Sequence, residues 1–217
     1  MNVNDFVRRW PYCYHVTFAV NLDLIQTSRS LYSAEALLLA TGEVGRRQRR
    51  MTDQLIRIKG QSVVLRNQCA LNPQALDLPR DCTLEDYLAF LNERTYFWPG
   101  TSIGPVTEGI RLLATHGSSL PAVVIRVQSM ALLEANANAT MHVATCNTGA
   151  AWMDGSGMSR RALDAFCPLP EYANDTRAIV EVSFVNAARL PKCSEYSAKL
   201  IGPWDHFFMG ETPGRTL

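Results

Sequence analysis

The sequence predicts an α+β domain, and three observations carry that prediction. Short runs of β-branched and aromatic residues (Cys13–Phe18, Ser62–Leu65, Thr95–Trp98, Ala122–Val127, Met141–Thr145 and Ile179–Val185) read as strands. Between them lie segments of helical period that open on good capping residues, Asn21, Ser33 and Thr83. The chain has 217 residues, 47% of them hydrophobic and 19% charged, enough to bury one core. One domain over 1–217 is therefore expected, with its core over about 12–191.

Taken in order, residues 1–11 end in Arg8-Arg9-Trp10-Pro11 and read as a lead-in turn or short helix. The strand Cys13–Phe18 runs into a helix start at Asn21, with Leu22 and Ile25 apolar, and helix N-termini leave N–H groups for an anionic or ribose-bearing ligand. That helix is expected to break near Ser30, and a second one to start at Ser33 and stop at Thr41-Gly42. The strand Ser62–Leu65 delivers three hydrogen-bonding side chains, Arg66, Asn67 and Gln68. Thr83 caps a helix whose Leu84, Tyr87, Leu88 and Leu91 share a face. An aromatic strand, Thr95–Trp98, follows and is expected to stop at Pro99-Gly100. A helix over Val106–Thr115, a central strand over Ala122–Val127 and a helical turn near Met130–Glu134 come next. The run Met141–Thr145 ends in the small polar turn Asn147–Ala150, and a long connection over 151–176 leads to the last strong strand. Inside that strand sits Glu181, a carboxylate that costs energy there unless it is paired or used.

Several function classes are disfavoured. There is no apolar run long enough to span a membrane and no signal peptide, so a cytoplasmic protein is expected. The six cysteines show no metal-ligand spacing and read as free buried thiols. No P-loop, Rossmann fingerprint or Gly-x-Ser-x-Gly elbow is present. Charge is uneven: residues 1–66 hold ten Lys and Arg against five Asp and Glu, and residues 67–217 hold eleven against fifteen. The densest basic cluster, Arg46, Arg47, Arg49 and Arg50, suits a nucleic acid or another polyanion, or else forms a solvated helix face.

The pattern His15-x-Thr17-x-x-x-Asn21-Leu22-x-x-Ile25, followed by Leu31-x-Ser33, resembles the opening motif of the DarT-like ADP-ribosyltransferases, which attach ADP-ribose from NAD to nucleic acid. That family usually carries a glycine where this chain has Ser30. The order helix, Leu91-Asn92-Glu93-Arg94, aromatic strand is similar to the family's middle, and Glu181 before the turn Asn186–Pro191 is similar to its late catalytic strand. The resemblance implies an ADP-ribosyltransferase-like split mixed sheet with flanking helices and an NAD cleft. It further implies His15, Thr17 and Asn21 at the ribose and nicotinamide, Tyr96 against the nicotinamide ring, and Glu181 as the catalytic carboxylate. Arg66, or Arg50 in its place, would hold a phosphate. The implied acceptor is a single-stranded nucleic acid, RNA ahead of DNA, and the implied setting is a toxin held by a cognate antitoxin or used in phage defence. NAD serves as substrate and no metal is required. The alternatives are a protein-directed transferase and a catalytically inactive nucleic-acid-binding module.

Overall fold

Asn2 starts the first helix, α1 (Val3–Arg9), by accepting from the Asn4 N–H at 3.0 Å. It leads into β1 (Tyr12–Phe18), a single 3₁₀ turn (Ala19–Asn21) and α2 (Leu22–Ser28). The computed structural model describes residues 2–42, 48–73, 76–107, 109–110, 120–149 and 163–208. Arg29 takes the left-handed conformation (φ 52°) and ends α2, so Leu31 lies in a short strand, β2 (Ser30–Tyr32). The Ser33 hydroxyl then accepts from the Ala36 N–H at 3.1 Å and opens α3 (Ala34–Ala40), as the sequence predicts.

The segment after the basic cluster is a β-hairpin, β3 (Gln54–Ile58) and β4 (Gln61–Leu65). Its turn, Lys59-Gly60, has positive φ at both positions, the twist that suits a two-residue hairpin. Next come α4 (Leu84–Asn92), β5 (Arg94–Thr101), β6 (Gly104–Pro105), β7 (Ala122–Gln128) and α5 (Ser129–Ala135). The chain continues through β8 (His142–Ala144), β9 (Cys167–Pro168), β10 (Glu181–Val185), β11 (Ala187–Arg189), β12 (Glu195–Ser197) and β13 (Asp205–His206). The helix expected over Val106–Thr115, much of the connection over 151–176, and the tail from Met209 fall largely outside the described residues.

Nine strands form one sheet in the order β13-β12-β7-β1-β5-β10-β8-β9, with β6 on β5. The domain is α+β as expected, and every ladder among the described residues is antiparallel. The feature that matters most is a change of partner in β5. Its residues Trp98–Gly100 pair with β1, while Arg94–Phe97 pair with β10. From His15 onward β1 stays with β7 alone, so the sheet parts between the second half of β1 and the first half of β5.

Three expectations need correction here. Pro99-Gly100 does not end β5, because proline's φ suits an extended strand and its position faces Cys13 of β1. Gly100 is needed for the close return of β6, since a Cβ there would collide with the Gly104 carbonyl oxygen. Glu181 opens β10 and is not interior to it, because a 3₁₀ turn (Thr176–Ala178) takes the start of the expected run and Ile179-Val180 only connects it to the strand. The segment after β10 is a bend at Asn186 (φ 64°) into β11, which pairs with β2.

The main core joins Phe6 and Trp10 of the lead-in to Phe97, Ile125, Val127, Val182 and Phe184 of the sheet. Tyr87 and Leu91 of α4 pack with Phe166 and Ala144, each such buried side chain contributing roughly 1.5–3 kcal/mol. Leu84, expected on that face, is exposed at the first turn. A third cluster seats the β3–β4 hairpin on α2 and α3 through Leu24, Leu38, Ile56, Ile58 and Val63. The cysteines are all free, but of the six only Cys13 is buried. No described helix is long and apolar enough to cross a membrane.

Candidate functional site

Where the sheet parts, a cavity of about 300 Å³ opens, walled by the end of β1, the hairpin's exit strand, the end of α4, β5 and Glu181. His15 bridges the gap: its Nδ1 lies 2.8 Å from the Tyr96 carbonyl oxygen. A carbonyl accepts and never donates, so Nδ1 carries the proton. Burial, aided by the nearby Arg66 charge, lowers the imidazole below its ordinary 6.5. The neutral ring then offers Nε2 as a hydrogen-bond acceptor.

Asn21 serves the frame. Its Nδ2 donates to Thr17 Oγ1 and to the Val64 carbonyl, both at 3.0 Å, and its Oδ1 accepts from the Val64 N–H at 2.7 Å. It therefore docks β4 against the turn after β1 and makes no side-chain cap on α2, the role its place in the sequence suggests. Thr17 accepts from Asn21 and keeps its own hydroxyl hydrogen to donate.

The Arg50 guanidinium is also committed. Nε donates to the Arg66 carbonyl at 2.8 Å and Nη1 to Asn92 Oδ1 at 2.8 Å, and burial lowers its pKa to about 10. Gln68 Nε2 reaches the same Asn92 oxygen at 2.8 Å, while Gln68 Oε1 accepts from the Arg50 N–H at 3.1 Å. Arg49 Nε donates to the Gln68 carbonyl at 3.0 Å. Arg49 and Arg50 thus brace the segment after β4 with some of their donors, and both side chains remain half-buried. Arg46 and Arg47 lie outside the described residues. Arg66, held in place by this bracing, lines the cavity with no hydrogen bond or ion pair to its side chain among the described residues. Burial lowers its pKa, opposed by the weaker pull of Cys69 and Asp53.

Glu181, 3% exposed, lines the same cavity. Its Oε2 accepts from the Thr148 hydroxyl at 2.5 Å and from the Thr148 N–H at 3.2 Å. Tyr96 lines the cavity with its ring tilted against Phe166, and its hydroxyl donates to the Leu91 carbonyl at 2.7 Å. Burial, and after it the Glu181 charge, raises this phenol well above its ordinary 10. Arg94 lies over the Phe90 ring at 3.7 Å, and Trp98 carries a buried indole N–H with no acceptor among the described residues. Both line the cavity.

A protein family of unknown function, DUF7002, matches residues 11–193. The chain belongs to this family. No curated protein and no solved structure matches it. The matched range contains every residue of the cavity and leaves out α1 and the β12–β13 edge.

One cavity therefore gathers His15, Thr17, Asn21, Arg50, Arg66, Tyr96 and Glu181, all singled out in the sequence, together with Asn147 and Gly149 of the polar turn. Arg49 stands outside it. Sequence reasoning gave Thr148 only a place in the polar turn Asn147–Ala150 that could add contacts, and it gave Asn92, Arg94 and Trp98 places in the helix-to-strand motif without a role of their own. Asn92 reads as an ordinary helix end, and nothing along the chain marks Thr148 as a partner of a residue 33 positions away. Among the described residues no group of three or more His, Cys, Asp or Glu is placed to hold a metal ion.

Proposed function

We propose that the cleft is the NAD site of an ADP-ribosyltransferase whose acceptor is a single-stranded nucleic acid, RNA ahead of DNA. The observation that supports this most is the meeting of His15, Tyr96 and Glu181 in one cavity, since the resemblance gives these three separated positions to a single NAD site, and Arg66 and Arg50, the two candidates for a phosphate, line the same cavity. The donor set suits the substrate. A neutral His15 accepts from a ribose hydroxyl, the Arg66 fork takes a phosphate oxygen, and the Trp98 indole N–H supplies a donor without an acceptor among the described residues. At about 300 Å³ the cavity is small for a ligand site and suits one half of a dinucleotide.

In the reaction the bond between ribose C1′ and the nicotinamide nitrogen breaks, the electron pair leaves with nicotinamide, and the sugar becomes cationic. Glu181 faces that charge from a buried position, where a carboxylate acts more strongly than in water. The acceptor attacks C1′ and gives up its proton to Glu181 or to solvent. The resemblance adds that such an enzyme is a toxin restrained by a cognate partner. One donor of Arg49 and two of Arg50 already serve groups of this chain, which leaves fewer for nucleic-acid phosphates and favours a second reading, transfer to protein side chains. Incubation with labelled NAD and separate pools of single-stranded RNA, DNA and protein tests both. Label on nucleic acid supports the first reading, label on protein the second, and no NAD turnover refutes both.

A further inference from the structure

We infer that Thr148 is the positioning residue of Glu181, an inference that rests on the NAD reading for its chemistry but on geometry for its existence. Thr148 is fully buried in the turn that leaves β8, and it sends both its donors, O–H at 2.5 Å and N–H at 3.2 Å, to the same oxygen, Oε2. The turn is itself anchored. Tyr87, fully buried on α4, donates its hydroxyl to the Thr148 carbonyl at 3.3 Å. Helix α4 is fixed in turn by a capping box, in which Thr83 Oγ1 accepts from the Asp86 N–H and Asp86 Oδ2 accepts from the Thr83 N–H. At the other end Ala144 of β8 pairs directly with Glu181. The carboxylate is thus held from its backbone by β8 and from its side chain by the turn.

Two donors on one oxygen fix the rotation of the carboxylate plane and stabilise its charge. A glutamate side chain otherwise samples several rotamers, and a misplacement of about 1 Å costs on the order of 10²-fold in rate. Asn147 and Gly149, the neighbours of Thr148, line the cavity beside Glu181, so the turn that aims the carboxylate is part of the cleft wall. Thr148 acts through Glu181 and takes no part in the bond changes.

Two variants separate aim from shape: Thr148→Val removes the hydroxyl at constant volume, and Thr148→Ser retains it. We expect Thr148→Val to lower kcat for NAD cleavage on the order of 10²-fold with KM within about threefold, and Thr148→Ser to return kcat to within about threefold of wild type. Unchanged kcat in the Val variant, or a Ser variant as slow as Val, overturns the inference. A second readout needs no NAD. The ¹³C resonance of the Glu181 carboxyl should move in Thr148→Val and return in Thr148→Ser, and an unmoved resonance in a folded Val variant overturns the inference even where NAD is cleaved. A wild type that cleaves no NAD refutes the functional reading alone, and the carboxyl resonance then decides the role of Thr148.

Discussion

Replacing Asn92 by leucine removes a single acceptor on which two donors converge. Asn92 is 2% exposed, and its Oδ1 takes a charged hydrogen bond from Arg50 and a neutral one from Gln68, each at 2.8 Å. The charged bond is worth about 1.5–3 kcal/mol and the neutral one about 0.5–1.5 kcal/mol, so a loss of about 2–4 kcal/mol is expected. In a domain of this size that lowers Tm by roughly 5–15 °C, at about 2–4 °C per kcal/mol. Urea denaturation should show the midpoint falling with the m-value unchanged, since the same surface unfolds. Hydrogen exchange should localise the effect to the segment after β4, where the Gln68 N–H bonds the Arg50 carbonyl at 2.9 Å. A second acceptor restores the junction, so Asn92→Asp should stay close to wild type, with a carboxylate now facing Arg50. A destabilisation of less than about 0.5 kcal/mol in Asn92→Leu would refute the bracing argument, because leaving a buried guanidinium donor unpaired costs more than that.

Four further outcomes are expected. Glu181→Gln should lower NAD cleavage and transfer by about 10²-fold or more while the Tm moves little, since the amide oxygen can still accept from Thr148; near wild-type turnover would remove Glu181 from the chemistry. Ligand affinity, measured by calorimetry between pH 5 and 8, should hold at neutral pH and weaken in acid, because protonation turns His15 Nε2 from acceptor to donor. The sign for stability is the same: the His15 pKa is depressed in the folded state, so a folding penalty sets in as pH falls below the ordinary 6.5, and a flat profile would argue against a buried neutral ring. Arg46→Ala with Arg47→Ala should cut the salt slope of single-stranded nucleic-acid binding by about 0.7 for each phosphate no longer neutralised, with folding intact, whereas Arg49→Ala or Arg50→Ala should lower Tm as well. Expression of the wild type alone should arrest growth and Glu181→Ala should relieve the arrest; harmless expression of an active enzyme would defeat the toxin reading.

Local signals identified the elements well where the chemistry was local. Ser33 and Thr83 cap helices through bonds within three residues, and the β-prone run Ala122–Val127 forms a strand paired on both sides. Failures came where a distant group overrode the local preference. Asn21 has the makings of a cap, yet Val64 offers both a donor and an acceptor and takes its amide. Nothing local announces that Arg49 bonds the Gln68 carbonyl or that Arg50 bonds the Arg66 carbonyl and Asn92. Pro99-Gly100 looks like a stop, yet β1 and β6 supply partners that carry the strand through it.

By itself the sequence determined the α+β class, the caps at Ser33 and Thr83 and most of the apolar face of α4, because propensity and periodicity act over a few neighbours. Tertiary structure alone decided that β5 exchanges partners, that the resulting gap becomes a cleft, and that Arg50 bonds Asn92 and the Arg66 carbonyl while the Arg66 side chain has no hydrogen bond among the described residues. The reason is physical: strand pairing and buried hydrogen bonds join groups tens of residues apart, and which of several eligible partners wins depends on distances that exist only once the chain has closed on itself.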